Sequence, residues 1–360
     1  MTETTRPILI VAGGTGGHIY PALAVAEHLR TRNIRTVWLG SHRGLEARVV
    51  PEAGILLYTI TISGLRGRSL WRWLIAPFFV TFALVQALLA IVRIRPQLVL
   101  GMGGFASGPG GLAARMCGRP LVIHEQNAIP GLTNALLARI ATTVLEGFPG
   151  AFPTKRHAVT VGNPVRESIF SVPPPQNREL GSDTFRILVI GGSRGAQALN
   201  EAVPRAIDEV DAHALEVWHQ AGAGNESVTR NCYKQTNAEV RVTAFIDDMA
   251  AAYAWASIAI CRAGAITVGE LAAAGVAAIL VPFPYAVDDH QTANAAYLVD
   301  ANAAILVAEG PDFSHRLAHA VGQLHGDRQQ VIRIASRARE LAKPDAAAQV
   351  ADYCMELVDV

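Results

Sequence analysis

The chain has 360 residues, 51% of them apolar, enough for two hydrophobic cores at roughly 100 to 200 residues per domain. Its four cysteines, Cys117, Cys232, Cys261 and Cys354, are scattered without a C-x-x-C pair, which speaks against a zinc cluster or a disulfide framework and fits a reducing cytosol. The formal net charge of +1 hides two opposed halves: residues 1–160 carry 16 basic and 6 acidic side chains, residues 161–360 carry 15 and 24, so the first half suits phosphates, nucleic acid or an anionic membrane.

Residues 1–7 are polar and the apolar run after them is too short for a secretory leader, so none is expected. That run, 8–12, reads as a strand entering Gly13-Gly14-Thr15-Gly16-Gly17-His18, with a helical pattern from near Ile19. A strand, a glycine turn and a helix start aim unpaired N–H groups and a positive dipole end at one spot, which suits a diphosphate. A tight turn without a ligand would use the same glycines, but an imidazole at the mouth of the helix makes His18 a catalytic candidate. The glycines match neither G-x-x-x-x-G-K-[ST] nor G-x-G-x-x-G. A second strand, 36–40, ends in Trp38-Leu39-Gly40-Ser41 with no acidic residue for a ribose, which argues against a nicotinamide dinucleotide.

After a third strand at 55–61 comes 73–92, twenty residues without a formal charge, long enough to span a bilayer. Pro77, Thr81 and Gln86 within it, and the strand 98–101 that resumes the sheet pattern, oppose spanning. Arginines at both ends (Arg66, Arg68, Arg72; Arg93, Arg95) give no orientation bias. A buried core helix, or a helix with a membrane-facing apolar patch ringed by arginine, remains. The strand 98–101 opens a second glycine cluster, Gly103 to Gly111, with Pro109 near the first turn of a helix. A fifth strand, 121–124, ends in His124-Glu125-Gln126-Asn127; Glu125 is a candidate base, an ion-pair partner or a cap.

The pattern breaks at 162–182, where Val172-Pro173-Pro174-Pro175-Gln176-Asn177 reads as a linker. This gives an amino-terminal domain 1–162, a linker 163–182, a carboxy-terminal domain 183–342 and a last helix within 343–360, expected to pack across the junction. Residues 185–196 repeat the opening strand and glycine loop, and further strands are expected at 216–220, 240–244, 258–261 and 279–281. Short buried strands alternating with helices predict two related α/β domains with parallel sheets, facing each other across a cleft. Ligands are then expected beyond the carboxyl ends of the strands, where the glycine loops collect.

Taken in order, residues 13–18, 103–111, 124–127, Gly162-Asn163-Pro164-Val165-Arg166, 191–196 and 262–270 make a chain that resembles, over nearly its whole length, the bacterial peptidoglycan glycosyltransferases that add N-acetylglucosamine to lipid I. The resemblance implies two Rossmann-like domains of the GT-B type, a UDP-N-acetylglucosamine donor, a lipid II product and an inverting reaction without an essential metal or other cofactor. It also implies a peripheral place on the cytoplasmic face of the inner membrane. The chain has no D-x-D motif; Asp247-Asp248 and Asp288-Asp289 read as caps or loop contacts.

Carried onto matching positions, the family pattern puts uracil near Phe245, Ile246 and Met249 and the ribose hydroxyls on Glu270. The diphosphate falls to Ser193 and the N–H groups around Gly192, Gly264 and Ala265, with Arg166 and Thr267 assisting, and Ile266, Val268 and Gly269 are further donor contacts. Gln291, Asn294 and Asn127 would meet the sugar, and Thr15, Gly16 and Gly17 join the donor contacts. The glycines of 13–17 and 103–111, Gly13, Gly14, Gly16, Gly17, Gly103, Gly104 and Gly108 among them, would with Ser107 cradle the acceptor's pyrophosphate. Arg68, Trp71, Arg72, Trp73, Ile75, Phe78, Phe79 and Phe82 would face the membrane. His18 is the first candidate for the base and Glu125 the second. The chain departs from the family pattern at Ala263, where serine is common, and at Arg194, where an uncharged residue is common. A soluble UDP-N-acetylglucosamine 2-epimerase-like enzyme and a non-catalytic sugar-nucleotide sensor are the alternatives; both would share the nucleotide half.

Overall fold

Short apolar strands alternating with helices build two parallel sheets, one in each of two units, Met1–Arg166 with Lys343–Val360 and Glu167–Ala342. The computed structural model describes residues 6–62, 70–178, 184–192, 195–210 and 213–358, and the side chains at 70–76 and 287 fall outside the description.

The first unit runs β1 (Ile8–Val11), α1 (Gly16–Thr31), β2 (Thr36–Ser41), α2 (Glu46–Glu52), β3 (Leu56–Ile60), α3 (Leu70–Ile94), β4 (Leu98–Gly101), α4 (Ser107–Met116), β5 (Leu121–Glu125), α5 (Leu132–Leu137), β6 (Thr143–Glu146) and β7 (Val159–Thr160). The strand order is β3-β2-β1-β4-β5-β6-β7, all parallel. Both faces of the sheet are covered, which is why its central strands read as unbroken apolar runs. Ile8 and Ile10 pack with Ile19, Val25 and Leu29 of α1, while Leu9 and Val11 pack with Ala83, Ala87 and Ile91 of α3 and Ala113 of α4. Because β1 lies between β2 and β4, the connections leaving β1 and β4 diverge and open a crevice at their carboxyl ends.

By length and composition α3 could cross a membrane over Pro77–Ile94. The structure excludes that, because the strands before and after it belong to one sheet and Ala83, Ala87 and Ile91, one helical turn apart, are buried on it. Gln86, polar within the apolar run, accepts from Thr61 N at 2.7 Å and so ties the helix to the end of β3. Pro77 does not end the helix, which runs through it. The outer face carries Phe78, Phe79, Phe82, Val85, Leu89 and Val92, all exposed.

The second unit runs α6 (Glu167–Phe170), β8 (Phe185–Ile190), α7 (Gln197–Glu209), β9 (Leu215–Gln220), α8 (Glu226–Cys232), β10 (Glu239–Thr243), α9 (Met249–Trp255), β11 (Ile258–Cys261), α10 (Ala265–Ala274), β12 (Ala277–Leu280), α11 (His290–Val299), β13 (Ile305–Leu306), α12 (Phe313–Gly326) and α13 (Arg328–Glu340). Its order, β10-β9-β8-β11-β12-β13, puts β8 at the same kind of switch point, between β9 and β11. The last helix, α14 (Ala346–Met355), packs on α1 in the first unit through Ala347, Val350, Ala351 and Cys354. An Arg32–Asp352 ion pair joins the same two helices.

Where a free linker is expected, 167–178 instead packs into the second unit. Arg339 donates to the carbonyls of Val172 and Phe170 at 3.1 Å each, Gln176 bonds Ser336 Oγ at 2.9 Å, and Arg178 donates to Tyr253 O and Gly275 O. The prolines stop regular structure without releasing the chain, because arginines satisfy the carbonyls that the ladder cannot. Strands β6, β7 and β13 are absent from the sequence reading; the last two are two-residue strands, too short to show a period.

Candidate functional site

In the first unit the loops after β1 and β4 interlock. A Cβ on Gly104 would fall 2.0 Å from Gly13 O, and one on Gly103 would fall 2.6 Å from His18 Nδ1, with φ of +81° and +92° at the two glycines. The second glycine cluster therefore exists, at these two positions, to let a backbone lie against the first loop and against an imidazole. Ser107 is fully buried, its hydroxyl 2.8 Å from Val11 O and 2.7 Å from Gly103 O, so it ties the loops together and does not face a ligand. That corrects its assignment to the acceptor's pyrophosphate.

Beneath the first loop lies Glu46, fully buried, which the sequence reading missed. Its carboxylate accepts from Gly14 N at 3.2 Å, Ser41 N at 2.9 Å and Ser41 Oγ at 2.7 Å. Gly13, Gly40 and Gly44 all surround it, each leaving room that a Cβ would take. The Gly14 N–H is thus spent on a protein carboxylate, which corrects its assignment to a phosphate. The N–H groups of Gly16 and Gly17, at the start of α1, remain as the donors for an anion.

At the end of β5, Glu125 is buried and accepts four bonds: from Asn127 N, Asn127 Nδ2, Gly131 N and Asn134 Nδ2, all at 3.0–3.1 Å. Such a carboxylate shapes the loop 126–134 and has its lone pairs filled. His18 is half-buried on the first turn of α1 with Nδ1 2.9 Å from Gln126 Oε1. Among the described residues nothing bonds to its Nε2. Arg166 stacks its guanidinium 5.2 Å from the centroid of the Tyr20 ring.

In the second unit the loops after β8 and β11 hold Gly192, at φ +80°, and the amino terminus of α10, capped by Gly264. Ala265, Ile266 and Thr267 present the helix's first N–H groups. Val268 is different: its side chain is in the core and its N–H bonds Gly264 O at 2.9 Å, so it offers a ligand nothing, contrary to expectation. Asn294, also fully buried, donates to Ala263 O at 3.1 Å and thereby anchors the β11–α10 loop; it does not reach out to a sugar as expected. Gln291 accepts from Phe283 N at 2.9 Å, which turns its amide nitrogen the other way. Glu270, largely buried, accepts from the Tyr253 hydroxyl at 3.1 Å, a partner no sequence signal reveals. At the end of β10 the Phe245 ring is exposed, Ile246 is buried and Met249 is partly covered. Asp248 caps α9 through Ala251 N, and Asp289 accepts from Thr292 Oγ1. Ser193, Arg194 and Arg68, and the side chains of Trp71, Arg72, Trp73 and Ile75, lie outside the described residues.

Two switch-point crevices, each with a glycine loop and a helix amino terminus, fit a protein that handles two phosphate-bearing ligands. Residues 8–146 match the glycosyltransferase family 28 N-terminal domain and residues 186–350 its C-terminal domain. A UDP-N-acetylglucosamine–N-acetylmuramyl-(pentapeptide) pyrophosphoryl-undecaprenol N-acetylglucosamine transferase from Alkalilimnicola ehrlichii is 53% identical over 98% of this chain and 99% of its own. The chain belongs to glycosyltransferase family 28. Acinetobacter baumannii MurG, in a crystal structure, is 39% identical with a TM-score of 0.82, covering 98% of this chain and 99% of that one. A Neisseria meningitidis UDP-GlcNAc 2-epimerase reaches a TM-score of 0.69 at 12% identity, covering 97% of this chain and 100% of that one, a likeness of fold alone.

Each half of this family 28 chain also buries a neutral histidine. Desolvation, the largest influence, pushes His124 down to about 4 and His219 down to about 3. His219 sits between the Tyr233 hydroxyl at 2.8 Å and Asn200 Oδ1 at 3.0 Å. Both folded values lie below the ordinary 6.5, so the unfolded chain binds the extra protons. The stability is complete above about pH 6.5 and is lost as the pH falls toward each folded value, by at most about 1.4 kcal/mol per pH unit per histidine. Urea midpoints are therefore expected to fall between pH 7 and pH 5; equal midpoints would show that neither histidine is held neutral.

Proposed function

We infer that this chain transfers N-acetylglucosamine from UDP-N-acetylglucosamine to the muramoyl sugar of undecaprenyl-pyrophosphoryl-N-acetylmuramoyl-pentapeptide, lipid I, giving lipid II. The observation that carries this is identity of about half the residues, end to end, with a transferase of that name. The 2-epimerase alternative rests only on a shared fold, and a sensor would need none of the catalytic groups.

The second unit holds the donor. Ala265, Ile266 and Thr267 offer N–H groups and the positive end of α10 to its diphosphate, Glu270 accepts the ribose hydroxyls while Tyr253 orients it, and Phe245 covers the base. In the first unit Gly16 and Gly17 face the acceptor's pyrophosphate, and Asn127 and Arg166 stand at the edge of the same crevice. His18 takes the proton from the acceptor hydroxyl through Nε2 as that oxygen bonds to the anomeric carbon and UDP departs, inverting the centre. The charge that builds on the leaving diphosphate meets the start of α10. Glu125, with four donors on its oxygens, shapes the loop and leaves the proton to His18.

The acceptor's lipid stays in the bilayer, and the exposed face of α3 is the surface that meets it. The neighbouring helices α4, packed on α3, and α5, packed on α4, also expose Leu112 and Met116, and Leu132 and Leu136, and Arg93, Arg95 and Arg115 on α3, just after it and on α4 are exposed as well. An apolar patch rimmed by arginine suits peripheral attachment to the anionic cytoplasmic leaflet. Phe78 is 76% exposed and Phe82 53%, so Phe78→Ser with Phe82→Ser is expected to leave folding intact. Binding to anionic vesicles should weaken by about tenfold or more, read by cosedimentation. Undiminished binding would place the membrane contact elsewhere.

The decisive assay supplies labelled UDP-N-acetylglucosamine and a short-chain lipid I analogue, with and without a chelator. Transfer in both conditions is expected. Absence of transfer in both, or conversion of the donor to its 2-epimer, would overturn the inference; loss of transfer with the chelator alone would overturn the metal-free mechanism.

A further inference from the structure

A row of hydrogen bonds leads inward from His18. Its Nδ1 is 2.9 Å from Gln126 Oε1, Gln126 Nε2 is 3.1 Å from His124 Nδ1, and His124 Nε2 is 2.9 Å from the carbonyl oxygen of Gly162. The carbonyl at the inner end has no proton to give, so it sets the direction of every bond before it. His124 must carry a proton on Nε2. Burial keeps that ring neutral at physiological pH, leaving Nδ1 a lone pair that can only accept. Gln126 must then turn its NH₂ toward His124 and its oxygen toward His18. An oxygen there can only accept, so His18 carries its proton on Nδ1 and its lone pair on Nε2.

We propose that His124 and Gln126 are positioning residues that lock His18 in the Nδ1–H tautomer and so present Nε2 as the proton acceptor for the sugar hydroxyl. This rests on the reading of His18 as the base given above. The lock is built in: Asn134 Nδ2 holds His124 O at 3.1 Å, Asn163 Nδ2 holds Gln126 O at 2.9 Å, and Gly103 lies against the Nδ1 side of the His18 ring. The charged groups nearby are otherwise engaged. Glu146, on β6 opposite Glu125, accepts from Gly150 N, Phe152 N and Thr160 Oγ1; Glu125 holds its own loop; Glu46 holds the loop of Gly14. The orienting group behind this base is thus a neutral amide and not a carboxylate. When His18 takes the proton, its Nδ1–H still donates to Gln126, so no partner needs to turn.

The test reads the tautomer directly. Long-range proton–nitrogen correlation spectra of the full chain with ¹⁵N-labelled histidine, His18 being assigned from its absence in His18→Ala, distinguish Nδ1–H from Nε2–H without any substrate. The wild type is expected to show His18 as Nδ1–H. His124→Leu removes the acceptor that orients Gln126 and is expected to lose the single tautomer and at least about tenfold in kcat, with KM for the donor within about twofold. His124→Asn puts Oδ1 where Nδ1 was, loses the Gly162 bond all the same, and is expected to keep the tautomer and to recover kcat to within about threefold. An Nε2–H signal in the wild type overturns the proposal, and so does a folded His124→Asn as slow as His124→Leu. Should the leucine variant fail to fold, Gln126→Leu serves in its place, and the wild-type spectrum decides alone. A wild type with the Nδ1–H signal but no sugar transfer would sink the functional reading and leave this assignment standing.

Discussion

His18→Ala is expected to lower kcat for sugar transfer by about 10³-fold while UDP-N-acetylglucosamine affinity stays within about twofold. The separation follows from where the groups sit. The diphosphate, ribose and base of the donor are assigned to α10, Glu270 and Phe245, all in the second unit, whereas His18 belongs to the first turn of α1. An alanine at that turn is a good helix former and removes no backbone N–H, so the anion site at Gly16 and Gly17 survives. What is lost is a proton acceptor, worth about 10² to 10⁴ in rate in a positioned base. Single-turnover transfer and calorimetric titration of the donor read the two quantities apart. Equal losses in both would mean that the imidazole binds the donor, and an unchanged rate would move the base elsewhere. Glu125 gives the contrast. Glu125→Gln forces an NH₂ group against donors from Asn127, Gly131 and Asn134, so its damage is expected first in the folding of the 126–134 loop.

The architecture was legible because its strands are buried on both faces and its glycine loops stand at their carboxyl ends. Continuous apolar runs such as 8–11 and 98–101, each followed by a glycine turn, cannot be much else than parallel strands entering helices. The place of His18 in the first turn of α1 was legible for the same reason, since it follows the glycine turn directly. The roles of the glycines were not, since sequence shows that a backbone must come close and not to what. Gly103 and Gly104 read as a phosphate cradle; they are the clearance for an imidazole and for the Gly13 carbonyl. Ser107, Val268 and Asn294 failed similarly, being motif neighbours whose side chains turn into the fold. Residues 167–178 read as a linker because prolines break both periods, yet Arg339 of α13 reaches back to the carbonyls of Phe170 and Val172, and the segment's own Arg178 reaches those of Tyr253 and Gly275. Long-range polar partners of this kind leave no periodic trace. Tyr253 behind Glu270 and Gln126 behind His18 belong to that class.

Glu46 is the largest such omission, and Glu46→Gln is expected to lower the stability of the first unit by about 2 kcal/mol. The carboxylate is fully buried and receives three donors, the N–H groups of Gly14 and Ser41 and the Ser41 hydroxyl. An amide of the same shape brings a donor of its own, so at least one N–H must meet another N–H with no water to take its place. Gly13, Gly40 and Gly44 leave no space for the side chain to swing away, because even a methyl group on any of them would touch it. The strain is therefore expected to pass into the loop itself: Gly14 shifts, and with it the Gly16 and Gly17 donors and His18 behind them. Urea unfolding should show the loss, and steady-state kinetics should show a rise in KM for the lipid I analogue of about tenfold with donor affinity unchanged, the size expected for one displaced charge-assisted contact. A variant with normal stability and a normal acceptor KM would mean that the glycine loop holds its shape without the carboxylate, and that the crowding of glycines around residue 46 has another cause.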